Sequence, residues 1–283
     1  MKMLHYRKLI FLLLITFLLS ACDDPVPSTS VSNSELQAKI RVTKTSSHSA
    51  TVTTSLKAII SSGSEDVELN GGEYLLVSLD SGLEDLFLHD SGGLFENTSN
   101  ISSSLFVLEP RQDHNFLSEF FSFDHNPEYF TTLNNINDES NFFVSMIRQN
   151  DINILDSEIN LPAPFQITSP VSGETFSRSQ PFVLTWDNTG AENMELHIEG
   201  ACNSTENGNE RVNDTFNIGN DAGFATFLIN NNVLILPGRL ANSQCNLNLH
   251  LRRIKTGAIV TSFGSGGLAE GIQQRTVSII SVP

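Results

Sequence analysis

Apolar side chains recur at every second position along most of this chain, and that period limits what it can fold into. Met194, Leu196 and Ile198 alternate with Glu195, His197 and Glu199, and Leu247, Leu249 and Leu251 alternate with Asn248, His250 and Arg252. The first half is written the same way. Ile40 and Val42 sit among Lys39, Arg41 and Thr43, Val67 and Leu69 among Asp66, Glu68 and Asn70, and Leu75, Val77 and Leu79 share one face, with Leu86 and Leu88 after a turn. Successive side chains of a strand point to opposite faces, so the pattern makes half-buried strands and not the stripe of an amphipathic helix. Phe116 to Phe123, Phe142 to Ile147, Phe182 to Trp186 and Arg275 to Val282 read as further strands. Trp186 shares a face with Phe182 and Leu184 and is expected at the centre of a core.

Turn clusters separate these runs: Ser61-Ser62-Gly63-Ser64, Asn70-Gly71-Gly72, Asp80-Ser81-Gly82 and Asp90-Ser91-Gly92. Asn-Gly and Asp-x-Gly supply the positive φ that tight hairpins need. Lys255-Thr256-Gly257 reads as a hairpin turn and Gly264-Ser265-Gly266-Gly267 as a hairpin loop. Many short strands at this spacing predict an all-β chain of antiparallel β-sandwiches. Leu161-Pro162-Ala163-Pro164 interrupts the pattern, and two prolines separated by one residue cannot sit in a central ladder. The boundary is therefore placed there, with sandwiches over 35–161 and 162–283, each of ordinary size for the architecture.

The first 21 residues have a different purpose. Lys2, Arg7 and Lys8 precede an eleven-residue apolar run, Leu9 to Leu19, broken only by Thr16. Spanning a bilayer takes about 20 apolar residues, so the run is too short for an anchor and has the length of a signal-peptide hydrophobic region. Leu19-Ser20-Ala21-Cys22 then resembles a bacterial lipobox. That resemblance covers about two dozen residues. It implies cleavage before Cys22, a diacylglycerol on its thiol and acylation of the new terminus, so the membrane is a partner through acyl chains. By the same resemblance Asp23 favours the inner membrane, with the outer membrane as the other destination. Residues 22–34 are polar, proline-containing and aperiodic, and read as a flexible tether of about 20 Å typical span.

Three cysteines in an exported chain require an explanation. With Cys22 lipidated, Cys202 and Cys245 remain as an even pair in an oxidising compartment, and a disulfide is expected between them. Closing a loop of about 43 residues contributes roughly 4 kcal/mol in the chain-entropy model. A two-cysteine metal site is the alternative, but the close C-x-x-C or H-x-x-x-H spacing typical of zinc is missing.

Ile167-Thr168-Ser169-Pro170, Gly173 and Leu184-Thr185-Trp186 resemble the opening strands of Ig-like or fibronectin-like modules of extracytoplasmic proteins, including serine/threonine-rich cell-wall proteins of the Kre9/Knh type. The match spans some 20 residues and implies an Ig-like β-sandwich. Trp186 lies before both cysteines rather than between them, unlike antibody domains, so the bridge would tie strand ends. The whole layout resembles bacterial lipoproteins of unassigned function with two Ig-like modules. That resemblance transfers no functional residues.

Chemistry is hard to find. G-x-S-x-G, H-E-x-x-H, the P-loop and G-x-G-x-x-G are all missing from the sequence. Asp113-His114-Asn115 and Asp124-His125-Asn126 could face a metal only with a third convergent ligand, and they read as polar strand ends. His197 and His250 fall on outward faces and read as surface polar residues. Asn203-x-Thr205-x-Asn207-Gly208, with Asp214 at the twelfth position, has calcium-loop spacing without carboxylates at positions one, three and five. Asn135-Ile136-Asn137-Asp138-Glu139 has the charges without the glycine. Carboxylate pairs for glycoside hydrolysis do not discriminate in a chain with 32 acidic residues. Without Lys2, Arg7 and Lys8 the net charge falls from −16 to −19, which repels nucleic-acid phosphate. No catalytic residue, metal ligand or cofactor is assigned. The expected role is non-enzymatic binding or scaffolding in a bacterial cell envelope facing the periplasm, with an envelope protein or glycan as partner. A surface glycan- or peptide-recognition module is the alternative, and an envelope hydrolase a distant third.

Overall fold

The computed structural model describes residues 25–45, 48–80, 105–110, 127–188, 192–204, 208–227 and 244–283. The expected leader over 1–21, Cys22, Asp23, the Leu86 and Leu88 strand, the Asp90-Ser91-Gly92 turn, the Phe116 to Phe123 run and both Asp-His-Asn triplets lie outside them. Apart from one 3-10 turn at Ser28–Ser30, the described residues are all-β and enclose two separate cores.

The first half contains β1 (Val26–Pro27), β2 (Leu36–Lys44), β3 (Ser49–Ile60), β4 (Gly63–Glu68), β5 (Tyr74–Leu79), β6 (Leu105–Pro110), β7 (Glu128–Asn134), β8 (Asn141–Ile147) and β9 (Ile154–Asn160). β2, β3 and β7 make one layer, and β6, β5, β8 and β9 the other. β6 joins the layers, pairing with β5 through Leu105 to Leu108 and with β7 through Glu109 and Pro110. The alternation resolves as it should: Ile40, Val42, Val52 and Leu56 from one layer meet Val77, Phe142 and Met146 from the other, all buried.

The second half contains β10 (Ile167–Ser169), β11 (Glu174–Ser177), β12 (Phe182–Trp186), β13 (Asn193–Ser204), β14 (Gly208–Asn220), β15 (Phe224–Phe227), β16 (Gln244–Thr256) and β17 (Gly267–Val282). The layer β14-β13-β16-β17, with β11 along β17, faces the smaller sheet β10-β12-β15. Phe182, Leu184 and Trp186 from the small sheet meet Leu196, Ile198, Leu249 and Leu251, so Trp186 packs where its phase puts it.

β17 belongs to both halves. Gly267 to Gln273 run parallel to Ala38 to Lys44 of β2, while Glu270 to Ser281 run antiparallel to β16. Ala269 is buried in the first core, and Val277 and Ile279 in the second. The connection from β16 to β17 also enters the first half. Phe263 is buried in its core, Ile259 and Val260 pack against it, and Ala258 exchanges backbone hydrogen bonds with Glu158. The core does change between Leu161 and Phe165, but the first sandwich is completed by residues from the far end of the chain, which differs from a clean division at 161/162. Gly264-Ser265-Gly266-Gly267 is likewise more than a hairpin loop: Gly264 N–H donates to Asn33 and Ala38 N–H donates to Gly266. A Cβ at Gly267 would run into the Ala38 carbonyl, and one at Gly271 into the Asn160 carbonyl, so these glycines permit the close approach.

At about 3.3 Å per residue, the sixteen residues of β17 extend roughly 50 Å. Register through β4, β3 and β2 places Val26 near the level of Gly267, whereas the β13 to β14 hairpin lies at the Val282 end.

The expected tether is docked from Val26 onward, with Val26 and Pro27 pairing with Val67 and Glu68. Buried Arg148 forms an ion pair with buried Glu73 at 3.1 Å. It also donates to the Ser28 and Val31 carbonyls at 2.7 Å and to Asn33 Oδ1 at 2.8 Å. The fork of one guanidinium thus fixes a polar segment whose composition reads as coil.

A second buried arginine holds the proline junction. Arg253 pairs with Asp221 at 2.7 Å, both side chains fully buried. It donates to the carbonyls of Ala163 at 2.8 Å, Pro164 at 3.2 Å and Asp187 at 2.6 Å. Its guanidinium lies 4.7 Å from the Phe165 ring centroid, and Trp186 Nε1 donates to the other Asp221 oxygen at 2.6 Å. Replacing one member of a buried pair strands the other charge, at a cost of about 3–5 kcal/mol. Arg253→Met is expected to lose stability in that range in urea unfolding. A loss below about 1 kcal/mol would show that the junction does not depend on this pair.

Candidate functional site

The outward side chains of β14, β13, β16 and β17 form the most organised surface among the described residues. Direct pairing places Thr215, His197, His250 and Thr276 in one row across the four strands. The row on one side is Asn213, Glu199, Asn248 and Ser278, and on the other Asn217, Glu195, Arg252 and Gln274. On β13 and β16 these residues face outward because Leu196, Ile198, Leu249 and Leu251 beside them fill the core beneath.

These groups are tied to one another. The His197 and His250 rings stack with centroids 5.7 Å apart and planes 26° apart. His197 Nδ1 meets Thr215 Oγ1 at 3.0 Å, and His250 Nδ1 meets Thr276 Oγ1 at 2.8 Å. His250 Nε2 contacts Glu199 Oε1 at 3.1 Å. Arg252 donates through Nε to Gln274 Oε1 at 2.8 Å and through Nη1 to Glu195 Oε1 at 3.0 Å. Ser278 donates to Asn248 Oδ1 at 2.7 Å. Partial burial, reinforced by the nearby charges of Arg252 and His250, holds the His197 imidazole below its ordinary value against the opposite pull of Glu199 and Glu195. The hydrogen bond and charge of His250 hold the Glu199 carboxyl below its usual range.

Beneath this face Cys202 and Cys245 form a disulfide, both residues fully buried in the second core. The bridge joins directly opposed residues of neighbouring strands in one sheet, close to the ends of β13 and β16.

The other sequence candidates do not converge. Asn203 pairs with Asn209 across the β13 to β14 hairpin, while Asp214 lies opposite Ile198, so the calcium-loop spacing is unrolled along two strands. Residues 205–207, including Thr205 and Asn207, lie outside the described residues. Asn137, Asp138 and Glu139 line an open cavity of about 370 Å³ with Asp80 and Ser140. Asp138 is already engaged there by Lys44 at 2.9 Å and Gln273 at 3.0 Å. Burial would raise its carboxyl, but these two hydrogen bonds and the Lys44 and Arg275 charges hold it low. Among the described residues no group of three or more His, Cys, Asp or Glu is arranged to hold a metal ion.

No protein-family model matches the chain, and no curated protein matches it. Among solved structures, 33 chains match. One is the adhesin InvE of Yersinia pseudotuberculosis, 15% identical, covering 89% of this chain and 59% of that one, with a TM-score of 0.21. Another is CBD12 from CALX1.2, 9% identical, covering 87% of this chain and 100% of that one, with a TM-score of 0.18. The chain thus spans about three-fifths of the adhesin structure. Superposition this loose says nothing of ligand or partner.

Sequence reading placed His197 and His250 on outward faces but could not see that they are cross-strand partners. The signal was their shared alternation phase, which becomes informative only once β13 and β16 are known to be neighbours.

The depressed titration of His197 sets a pH dependence. As pH falls through about 6.5, the unfolded chain takes up a proton that folded His197 refuses, so stability drops with acidification. The Glu199 contribution is present above its ordinary 4.5 and is lost as pH falls through its lower folded value. The melting temperature is expected to fall between pH 7.5 and 5.5, and to fall less in His197→Gln. Equal slopes in the two proteins would contradict the assignment to His197.

Proposed function

We propose that this chain is a lipid-anchored protein of a bacterial cell envelope that binds or scaffolds a partner without covalent chemistry of its own. The observation that supports the binding role is the interlocked outer face of β14, β13, β16 and β17. Side chains already tied to their neighbours lose little rotamer freedom on association, so such a surface binds at low entropic cost. The Cys202 to Cys245 bridge braces the sheet from behind.

Anchoring is supported by the sequence Leu19-Ser20-Ala21-Cys22. One acyl chain holds a protein only marginally, whereas two or more hold it stably. The first sandwich then stands nearest the membrane, because Val26 lies only four residues after Cys22 and at the Gly267 end of β17. The face would be presented toward the periplasm on the distal half, with the inner membrane favoured by Asp23.

A second reading rests on the smaller sheet. Phe224 is 60% exposed and Val183 42% exposed on its outer side, beside the hydrogen-bonded hydroxyls of Thr168 and Thr185. An exposed aromatic ring among hydroxyls suits stacking on a sugar or peptide.

Two measurements test the proposal. Cys22→Ser should abolish incorporation of labelled fatty acid and release the protein from membranes, and continued labelling would refute the lipid anchor. Crosslinked pull-down from intact envelopes should recover a partner that His197→Ala and Arg252→Ala lose at least tenfold while Phe224→Ala keeps it. Loss only in Phe224→Ala would move recognition to the small sheet.

A further inference from the structure

Cys22 lies four positions before Val26, the first residue of β1, so the chain between them spans about 13 Å at full extension. β1 runs parallel to β4 with Val26 opposite Val67. Gly63, in the β3 to β4 turn, also lies four positions before Val67, about 13 Å along the strand. A group carried on Cys22 therefore reaches about the level of that turn and no farther beyond this end of the first sandwich.

The same end is gathered around Asn33, Ser34 and Glu35. Ile59 N–H donates to the Glu35 carbonyl at 2.8 Å, and Gly264 N–H to the Asn33 carbonyl at 2.8 Å. From the other layer, the loop between β8 and β9 is held by Asn33. Its Nδ2 donates to the Ile152 carbonyl at 2.8 Å, and its N–H to Asp151 Oδ2 at 3.0 Å. Fixing the segment after Val26 thus also fixes the Ile152 loop and the β3 to β4 turn.

The surface so assembled suits a lipid interface. Ile152 is 78% exposed and Ile59 38% exposed, and Ser61 to Ser64 beside them are exposed and uncharged. The carboxylates at this end are occupied or turned inward. Asp151 Oδ1 accepts from Ile152 N–H at 2.7 Å, Glu35 Oε2 accepts from Ser32 Oγ at 2.8 Å, and half-buried Glu65 lies opposite buried Ala58. Single exposed apolar residues are ordinary on a protein surface. These two stand where the chain must meet its anchor.

We infer that this end of the first sandwich is a bilayer-contact surface: the short link to acylated Cys22 seats the β3 to β4 turn and the Ile152 loop in the headgroup layer, with Ile152 and Ile59 toward the hydrocarbon. The inference rests on the reading of Cys22 as the lipid anchor and goes beyond it, because a longer link would hold the protein to a membrane without touching it. The contact is apolar, so zwitterionic lipid suffices. A chain of net charge −16 gains nothing from anionic headgroups. β17, which begins near the level of Val26, then leads away from the bilayer.

The test uses the acylated full chain on phosphatidylcholine vesicles whose acyl chains are brominated near the headgroup, since bromine quenches indole emission only at short range. Trp186, buried in the second core, supplies the unquenched background. The tryptophan added by Ile152→Trp is expected to be quenched several-fold more strongly than one added by Asn203→Trp, beside the distal β13 to β14 hairpin. Ser62→Trp is a second reporter on the β3 to β4 turn, so the result does not hang on one variant folding. If both reporters are quenched no more than Asn203→Trp while the chain stays on the vesicles, the inference is overturned and the anchor stands. Failure of the anchor is seen separately, as a Cys22 that carries no labelled fatty acid and a chain that does not sediment with vesicles, and it would overturn the inference too.

Discussion

Both edges of β17 are taken, and by different halves of the molecule. Over Gly267 to Gln273 its backbone pairs with β2, and over Glu270 to Ser281 with β16, so the two sets of partners overlap at Glu270 to Gln273. Removing the strand from either sandwich exposes a row of backbone groups that would have to find water. It also uncovers a core, since Ala269 is buried in one and Val277 and Ile279 in the other. The second sandwich therefore cannot lose this strand without opening the first.

Side chains reinforce that coupling where the strand crosses from one core to the other. Lys44 and Gln273 both hold Asp138 of the first half, and Arg275 adds its charge. Arg275 lies 5.5 Å from the centroid of Phe165, the same ring that Arg253 approaches from the other sandwich's junction. Arg253 binds Asp221, and Asp221 binds Trp186 at the centre of the second core. A buried ion pair contributes little net stability against an apolar replacement, because desolvation offsets the attraction. Its effect here is positional: three backbone carbonyls of the junction and connecting chain are satisfied by one guanidinium, which fixes the path between the halves. The outer face of β14, β13, β16 and β17 inherits that rigidity, because this clasp secures the strands that carry it.

Fold class was legible because burial on one side of a sheet imposes period two. Met194, Leu196 and Ile198 could only be the inner face of a strand, and Trp186 could only join Phe182 and Leu184. Partnership was not legible. The pattern of Arg275 to Val282 predicts a strand but not its extension back to Gly267, so the parallel pairing of Gly267 to Gln273 with β2, some 230 positions earlier, had no sequence signal. The docked segment from Val26 was hidden for a similar reason. Its composition is that of a coil, and its order comes from Arg148, which is remote in sequence. The disulfide was readable by counting, whereas the imidazole stack required the register of β13 against β16.

Because β17 contributes to both cores, the two are expected to unfold as a single cooperative body. The only tryptophan, Trp186, lies in the second core, so its fluorescence follows that core alone. Amide hydrogen exchange at Val42 and Val52 follows the first. Measured together across a urea titration, the two probes are predicted to give one midpoint and one unfolding free energy. Loss of the Trp186 signal while Val42 and Val52 remain protected would contradict the account, because it would mean that the second sandwich unfolds and leaves β17 behind.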